Sequence, residues 1–394
     1  MDKGEVPINI YMDLSKAFDT LDHDILLKKL YYYGIKDTEL HLFNSYLRNR
    51  MQYVSVDDNE STHSAISTGV PQGSILGPLL FIIYINDITH ASNLFKFIIY
   101  ADDTTLFSTL SFLKEQSDED LSHNINIELN KVNIWLKLNK LSLNIEKTKF
   151  MLFYKPLKHV SVPILKIDDV FLECVDEFNF LGLHIDKHLS WKKHTQTVSS
   201  KVSQITGITY RLKHFLPIHI LLLLYNTLIM PRFNYCILAW GHYLDRLANL
   251  QKKAIRIAHH SAYMYNAHTE PLFKKSNILK LNDLYKYKLL KFYHKFVNGR
   301  LPVYFNNFEI MPASDLHQHN TRGKEKLIVS RVSHTYAKKC IRHELVKLIN
   351  ETPDIIMDKV HTHSLFGFSM YVKKNLITKY EITCQVENCY VCNS

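Results

Sequence analysis

The stretch Tyr100-Ala101-Asp102-Asp103 decides the reading of this chain. It lies between two apolar segments, Leu94–Tyr100 and Thr104–Ser108, which read as strands joined by a tight turn. Two adjacent carboxylates in such a turn repel each other and lose hydration, so a compensating positive charge is expected. Asp13 ends another strand, in which Ile8, Ile10, Met12 and Leu14 alternate with Asn9, Tyr11 and Asp13. If the two strands are neighbours, three carboxylates converge at one sheet edge. An oxygen-only donor set of this kind favours Mg²⁺. Two such ions roughly 3.5–4 Å apart would clamp the attacking and leaving oxygens of an in-line phosphoryl transfer. The plainer alternative for Asp102-Asp103 alone is an Asx-type hairpin turn.

A second signal lies upstream, in Gly69-Val70-Pro71-Gln72-Gly73-Ser74-Ile75-Leu76-Gly77-Pro78, where three glycines fall within nine residues. Glycine permits positive φ and close backbone approach, and Gln72 offers both a donor and an acceptor. An ordinary loop before a helix at Leu79–Ile88 is the alternative. Around these motifs the pattern is mixed. Asp22 caps a helix to about Tyr33, Asp37–Asn49 reads as a second helix, and Gln52–Val56 with His63–Thr68 reads as a hairpin. Ser117–Lys140 reads as a long amphipathic helix, followed by a strand at Phe150–Tyr154 and shorter strands over 160–186. From Trp191 the periodicity turns helical, with one stripe at Val198, Val202, Ile205, Ile208 and Leu212 and a later one at Leu281, Tyr285, Leu289, Phe292 and Phe296.

The 394 residues are 46% hydrophobic, which excludes wholesale disorder, and six cysteines exclude a disulfide scaffold. The longest apolar run, Ile218–Met230, is too short for a bilayer span and reads as a core helix. Charge divides the chain. Residues 1–186 carry 17 Lys+Arg against 26 Asp+Glu, whereas residues 187–300 carry 19 against 3, within a net charge of +10. A carboxylate centre beside a strongly basic segment fits a metal site next to a polyanion track.

Tyr11-Met12-Asp13-Leu14-Ser15-Lys16-Ala17-Phe18-Asp19, Gly69–Gly77 and Tyr100–Asp103 resemble, in order, the first three palm motifs of reverse transcriptases. Leu141–Lys149 resembles the fourth and Phe180-Leu181-Gly182 the fifth. The wording is most similar to LINE-type retrotransposons without long terminal repeats, of the Jockey and CR1 groups. The likeness is close over about residues 6–186 and looser to about 305, through Leu250–Arg256 and His268–Lys274.

The resemblance implies an α+β fold: a reverse-transcriptase palm with an antiparallel sheet backed by helices, then a helical thumb and a mainly helical C-terminal region. It implies domains at 1–186 (palm), 187–305 (basic helical thumb) and 306–394 (role unassigned). Asp13, Asp102 and Asp103 would bind two Mg²⁺ ions, with Mn²⁺ able to substitute and the Leu14 carbonyl as a further ligand. Phe18 would exclude a ribose 2′-hydroxyl, and Gln72 and Gly73 would line the incoming nucleotide and template base. Lys147 would act as general acid towards the leaving pyrophosphate, with Lys149 as competitor. Phe180, Leu181 and Gly182 would form the primer grip. Lys192, Lys193, Lys201, Arg211 and Lys213 would contact nucleic-acid phosphates. The implied partners are an RNA template, a DNA primer, dNTPs and the element's own RNA-binding protein, in the nucleus or cytoplasm, with no membrane partner. Only 12 residues precede Asp13, so a truncated copy lacking the endonuclease and most of the fingers is expected. A catalytically silent, nucleic-acid-binding remnant is the alternative. Cys389 and Cys392 have zinc-ligand spacing and Cys384 precedes them, but a fourth ligand would have to come from His361 or His363. Zinc is therefore not expected.

Overall fold

The computed structural model describes residues 5–110, 118–156, 158–260, 268–308, 310, 327–329 and 340–380. The cysteines at 384, 389 and 392 lie outside them. The chain divides into two compact units, one of residues 3–179 with 186–188 and the other of residues 180–185 with 189–394.

The first unit is built on a five-stranded sheet. Its strands are β1 (Val6–Met12), β2 (Lys96–Tyr100), β3 (Asp103–Leu110), β4 (Lys149–Leu152) and β5 (Glu173–Cys174), in the order β5-β4-β1-β3-β2. All neighbours run antiparallel except β5 and β4, which are parallel. The alternation in β1 buries Val6, Ile8 and Ile10 completely. It ends at Tyr11, which the period-2 pattern puts on the polar face but which is buried and stacked on Phe178, ring centroids 3.8 Å apart. Both faces of β1 are thus covered where it approaches Asp13.

The helices of this unit are α1 (His23–Tyr32), α2 (Asp37–Leu47), α3 (Leu76–Ile85) and α4 (Asp118–Leu138). Asp22 caps α1 as expected, its Oδ1 accepting from the Asp24 and Ile25 amides at 3.0 Å. Partial desolvation opposes ionisation of Asp22, but Lys140 and these amides outweigh it and hold the carboxyl below its ordinary range. The apolar stripe of α4, Ile125, Leu129, Val132 and Leu136, is at most 1% exposed. Each such side chain contributes roughly 1.5–3 kcal/mol by leaving water. Helix α3 starts three residues before the Leu79 that the sequence suggests. Ser74 Oγ accepts the Gly77 N–H at 3.0 Å, and Pro78 falls in the first turn, where a missing N–H costs nothing. The expected hairpin forms as two short ladders, Arg50–Gln52 with Ser64–Ile66 and Ser55–Val56 with Asn59–Glu60, turning at Asp57-Asp58.

The second unit is helical: α5 (Lys192–Leu212), α6 (Asp245–Ala258), α7 (Leu281–Val297) and α8 (Leu365–Thr378), with shorter helices between. Its core is aromatic, with Tyr225, Phe233, Trp240 and Phe273 at most 2% exposed. The Ile218–Met230 run is not one core helix. It is α-helical over Ile218–Leu224, becomes a π turn over Tyr225–Ile229 and returns to α-helix at Met230–Asn234. Pro231 removes the donor that the Thr227 carbonyl would otherwise accept. Leu221, Tyr225 and Ile229 are buried, whereas Leu223 and Leu228 face solvent. The buried face of α5 is also rotated from the expected stripe. Val198, Ser199, Val202, Thr206 and Thr209 are buried and Ile208 is exposed. The Thr206 and Thr209 hydroxyls donate to the Val202 and Ile205 carbonyls, so polar residues sit in this core without loss.

Candidate active site

Strand register brings the acidic motifs together. Met12, the last residue of β1, pairs with Thr104 of β3, and Tyr100 pairs with Asp103 across the β2–β3 turn. Asp13 therefore leaves β1 at the sheet end where Asp102 and Asp103 turn. Ala101 takes φ +52° to make that turn. Partial burial, then repulsion from Asp102 and from Asp13, pushes the Asp103 carboxyl above its ordinary range. Asp103 thus senses both other carboxylates through space. Among the described residues, no three His, Cys, Asp or Glu side chains close into a ready metal cage.

The segment after α4 is tied to this edge. Ser15 N–H donates to the Ser142 carbonyl and Asn144 N–H to the Asp13 carbonyl, both at 2.8 Å. These bonds flank a bridge between Leu14 and Leu143. In such a non-hydrogen-bonded pair the Leu14 carbonyl points to the opposite edge of its strand, towards β3. The same tether carries Lys147, whose Nζ lies 3.8 Å from Asp13 Oδ2. Lys149, its competitor, is ion-paired to Glu173 across β4 and β5.

The glycine loop lies against the turn that follows Asp13. Val70 N–H donates to the Phe18 carbonyl at 2.9 Å, and Gly69 N–H to the Leu21 carbonyl at 2.8 Å. Gly69 has φ +84°, and a Cβ there would stand 2.7 Å from the Asp19 carbonyl oxygen, so only glycine fits. Phe18 packs on the buried Phe81 of α3, ring centroids 4.7 Å apart. Gln72 and Gly73 are exposed, and Gln72 Nε2 donates to Asp19 Oδ1 at 2.8 Å. The sequence gives Asp19 no role beyond closing its motif; this contact is the feature sequence reasoning missed.

The reverse transcriptase (RNA-dependent DNA polymerase) family matches residues 2–185, the span that holds all of these groups. Residues 2–185 are a reverse-transcriptase domain. The chain is 28% identical over 269 residues to a probable RNA-directed DNA polymerase from transposon BS of Drosophila melanogaster, covering 63% of this chain. It is 25% identical over 272 residues to the RNA-directed DNA polymerase from mobile element jockey of the same organism, covering 65% of this chain. The match is Jockey-like, of the LINE type. It spans 28% and 29% of the length of those two relatives. A solved telomerase from Candida albicans, in complex with a fragment of telomeric RNA, aligns with 68% of this chain and 46% of its own. The TM-score is 0.32 and the identity 13%, too low to decide anything.

The remaining expected residues belong to the second unit. Leu181 and Gly182, at φ +48° and +81°, turn a hairpin between Glu177–Phe180 and Leu183–Asp186, and the Leu181 carbonyl accepts from the Tyr235 hydroxyl. On α5, Lys192, Lys193, Lys201 and Arg211 are exposed, and Lys213 lies over the Tyr210 ring at 4.4 Å. Lys193 and Arg211 are 18 residues, or five turns, apart and share the face opposite the core. The residues between them on that face are uncharged: Gln196, Ser200, Gln204 and Gly207. No helix of the described residues is long and apolar enough to cross a membrane.

Proposed function

We propose that this chain is the RNA-directed DNA polymerase of a LINE-type retrotransposon, adding nucleotides from dNTPs to a primer 3′-hydroxyl on an RNA template in the nucleus or cytoplasm. The supporting observation is that Asp13, Asp102 and Asp103 come together at one sheet end, where burial and the other two carboxylates push the Asp103 carboxyl up, inside the span that matches the family. Clustered carboxylates of this kind suit a divalent cation. Asp13, Asp102, Asp103 and the Leu14 carbonyl would hold two Mg²⁺ ions, or Mn²⁺ in their place. When bound, these supply Lewis-acid activation of the hydroxyl and neutralise the triphosphate.

The other roles fall to the chain's own side chains. Phe18, braced from below by Phe81, would exclude a ribose 2′-hydroxyl. Gln72 and Gly73 would line the nucleotide and template base. Lys147, with Nζ 3.8 Å from Asp13 Oδ2, would hold a proton for the leaving pyrophosphate. In the thumb, over 187–305, Lys192, Lys193, Lys201, Arg211 and Lys213 would track duplex phosphates. Phe180, Leu181 and Gly182 would hold the primer. Residues 306–394 would form a separate C-terminal region.

The test is dNTP incorporation on a primed RNA template in Mg²⁺ or Mn²⁺, beside Asp102→Asn. Incorporation that disappears in the variant supports the reading. Wild-type chain that binds the duplex but never extends it overturns the activity.

A further inference from the structure

Asp19 stands six residues past Asp13, and its backbone is fixed from both sides. Its N–H donates to the Lys16 carbonyl at 2.9 Å, and its own carbonyl accepts from Thr68 Oγ1 at 3.0 Å. A bridge between Asp22 and Thr68, with the Phe18–Val70 and Leu21–Gly69 hydrogen bonds, holds the two segments together around it. The close approach at Gly69 leaves no slack. Only the Asp19 side chain is left to be used, and it meets Gln72.

The chemistry of that contact is directional. An ionised carboxylate only accepts hydrogen bonds, so the carboxamide of Gln72 must turn its nitrogen towards Asp19. That fixes the amide against a flip and leaves its Oε1 as an acceptor, with one further N–H. Both residues border a cavity of about 730 Å³, together with Lys16, Arg50, Gln52 and Gly69. The cavity is of a size that accepts a nucleotide.

We infer that Asp19 is a positioning residue for nucleotide selection: it sets the carboxamide orientation with which Gln72 meets the incoming nucleotide, and has no contact of its own with the reacting atoms. This inference rests on the polymerase reading above. Asp19→Ala and Asp19→Asn keep the backbone N–H and carbonyl that bond Lys16 and Thr68, so the side chain can be tested by itself.

The experiment uses the full chain on primed RNA and separates KM for dNTP from kcat. A hydrogen bond to a charged partner is worth roughly 1.5–3 kcal/mol, or about 10- to 100-fold. Asp19→Ala should raise KM about 10-fold with kcat within about 2-fold, and Gln72→Ala should do the same. The double variant should be no worse than Gln72→Ala, because the two act as a unit. Asp19→Asn keeps an acceptor oxygen while losing the charge, and should stay within about 3-fold of wild type. A double variant whose losses multiply overturns the inference, as does Asp19→Asn falling as far as Asp19→Ala. A second readout is independent of turnover: dNTP-dependent stabilisation of the complex with a dideoxy-terminated primer on the RNA template. Wild type that binds dNTP no better than Asp19→Ala overturns the positioning role alone. Wild type that shows no dNTP-dependent stabilisation at all overturns the polymerase reading, and this inference with it.

Discussion

In the first unit three carboxylates, from segments 89 positions apart, meet at one sheet end and raise the proton affinity of Asp103. In the second unit Lys193 and Arg211 lie about 27 Å apart along a single helix, on an exposed face that carries no acid. One arrangement concentrates charge until a small multivalent cation is the best neutraliser. The other spreads charge along a line, which suits a repeating polyanion. A sheet can do the first because strands distant in sequence become neighbours. A helix does the second because its faces are set by spacing alone. Under the proposed function the contrast would separate two energetic roles, chemistry by convergence and affinity by accumulation, and each can be attacked without the other.

The largest effect belongs to the convergent side. Asp13→Asn should reduce dNTP incorporation by about 1,000-fold or more while leaving duplex affinity within about 2-fold, read by primer extension beside a binding titration. A parallel loss of binding would erase the contrast. Lys147→Ala should cost about 100-fold in the rate of extension, the range of one general acid, and Lys149→Ala should stay near wild type. Lys149 already has Glu173 as partner, so the reverse order would break the assignment.

The helical unit should fail through packing first. A Cβ on Gly241 would stand 2.3 Å from the Tyr285 ring and 2.6 Å from the Ile237 carbonyl oxygen. Gly241→Ala should therefore destabilise by about 1–3 kcal/mol, seen as a lower urea midpoint. Removing its charges should be gentler. Lys193→Gln with Arg211→Gln should weaken duplex binding several-fold near 0.1 M salt and lower the slope of log K against log salt by about 2. Binding that loses affinity with no change in slope would place these cations away from phosphate.

The smallest effect is a pH dependence confined to the helical unit. His194 is buried, and desolvation, with His184 and Lys201 nearby, pulls its pKa down to about 4. The unfolded chain binds a proton there near pH 6.5, earlier than the folded one. Its contribution is present above pH 6.5 and is lost as pH falls from 6.5 towards 4. The urea midpoint of the full chain should drop between pH 7 and 5, and His194→Phe should flatten that drop.

Much of this was legible in the residues. The order of strands and helices in the first unit follows from local alternation and from the Asp22 cap, and the motifs marked Asp13, Asp102 and Asp103 individually. Where reading failed, the cause was packing. Tyr11 is buried because Phe178 covers a face that period-2 spacing leaves polar. The α5 stripe is rotated because Thr206 and Thr209 satisfy their hydroxyls within the helix and can be buried.

The sequence by itself determined which groups are available: the carboxylates, the glycine loop, the two lysines after α4 and the basic run after residue 187. These are matters of composition and spacing along one chain. Tertiary structure decided which of them act together. Register across β1, β3 and β4, with the Leu14–Leu143 bridge, turned the Leu14 carbonyl towards β3 and placed Lys147 rather than Lys149 beside Asp13, while the Asp22–Thr68 bridge and its neighbouring backbone bonds joined Asp19 to Gln72. A strand slipped by one residue would keep every motif and lose the contacts made across the sheet, because cross-strand pairing alternates face and edge at each step.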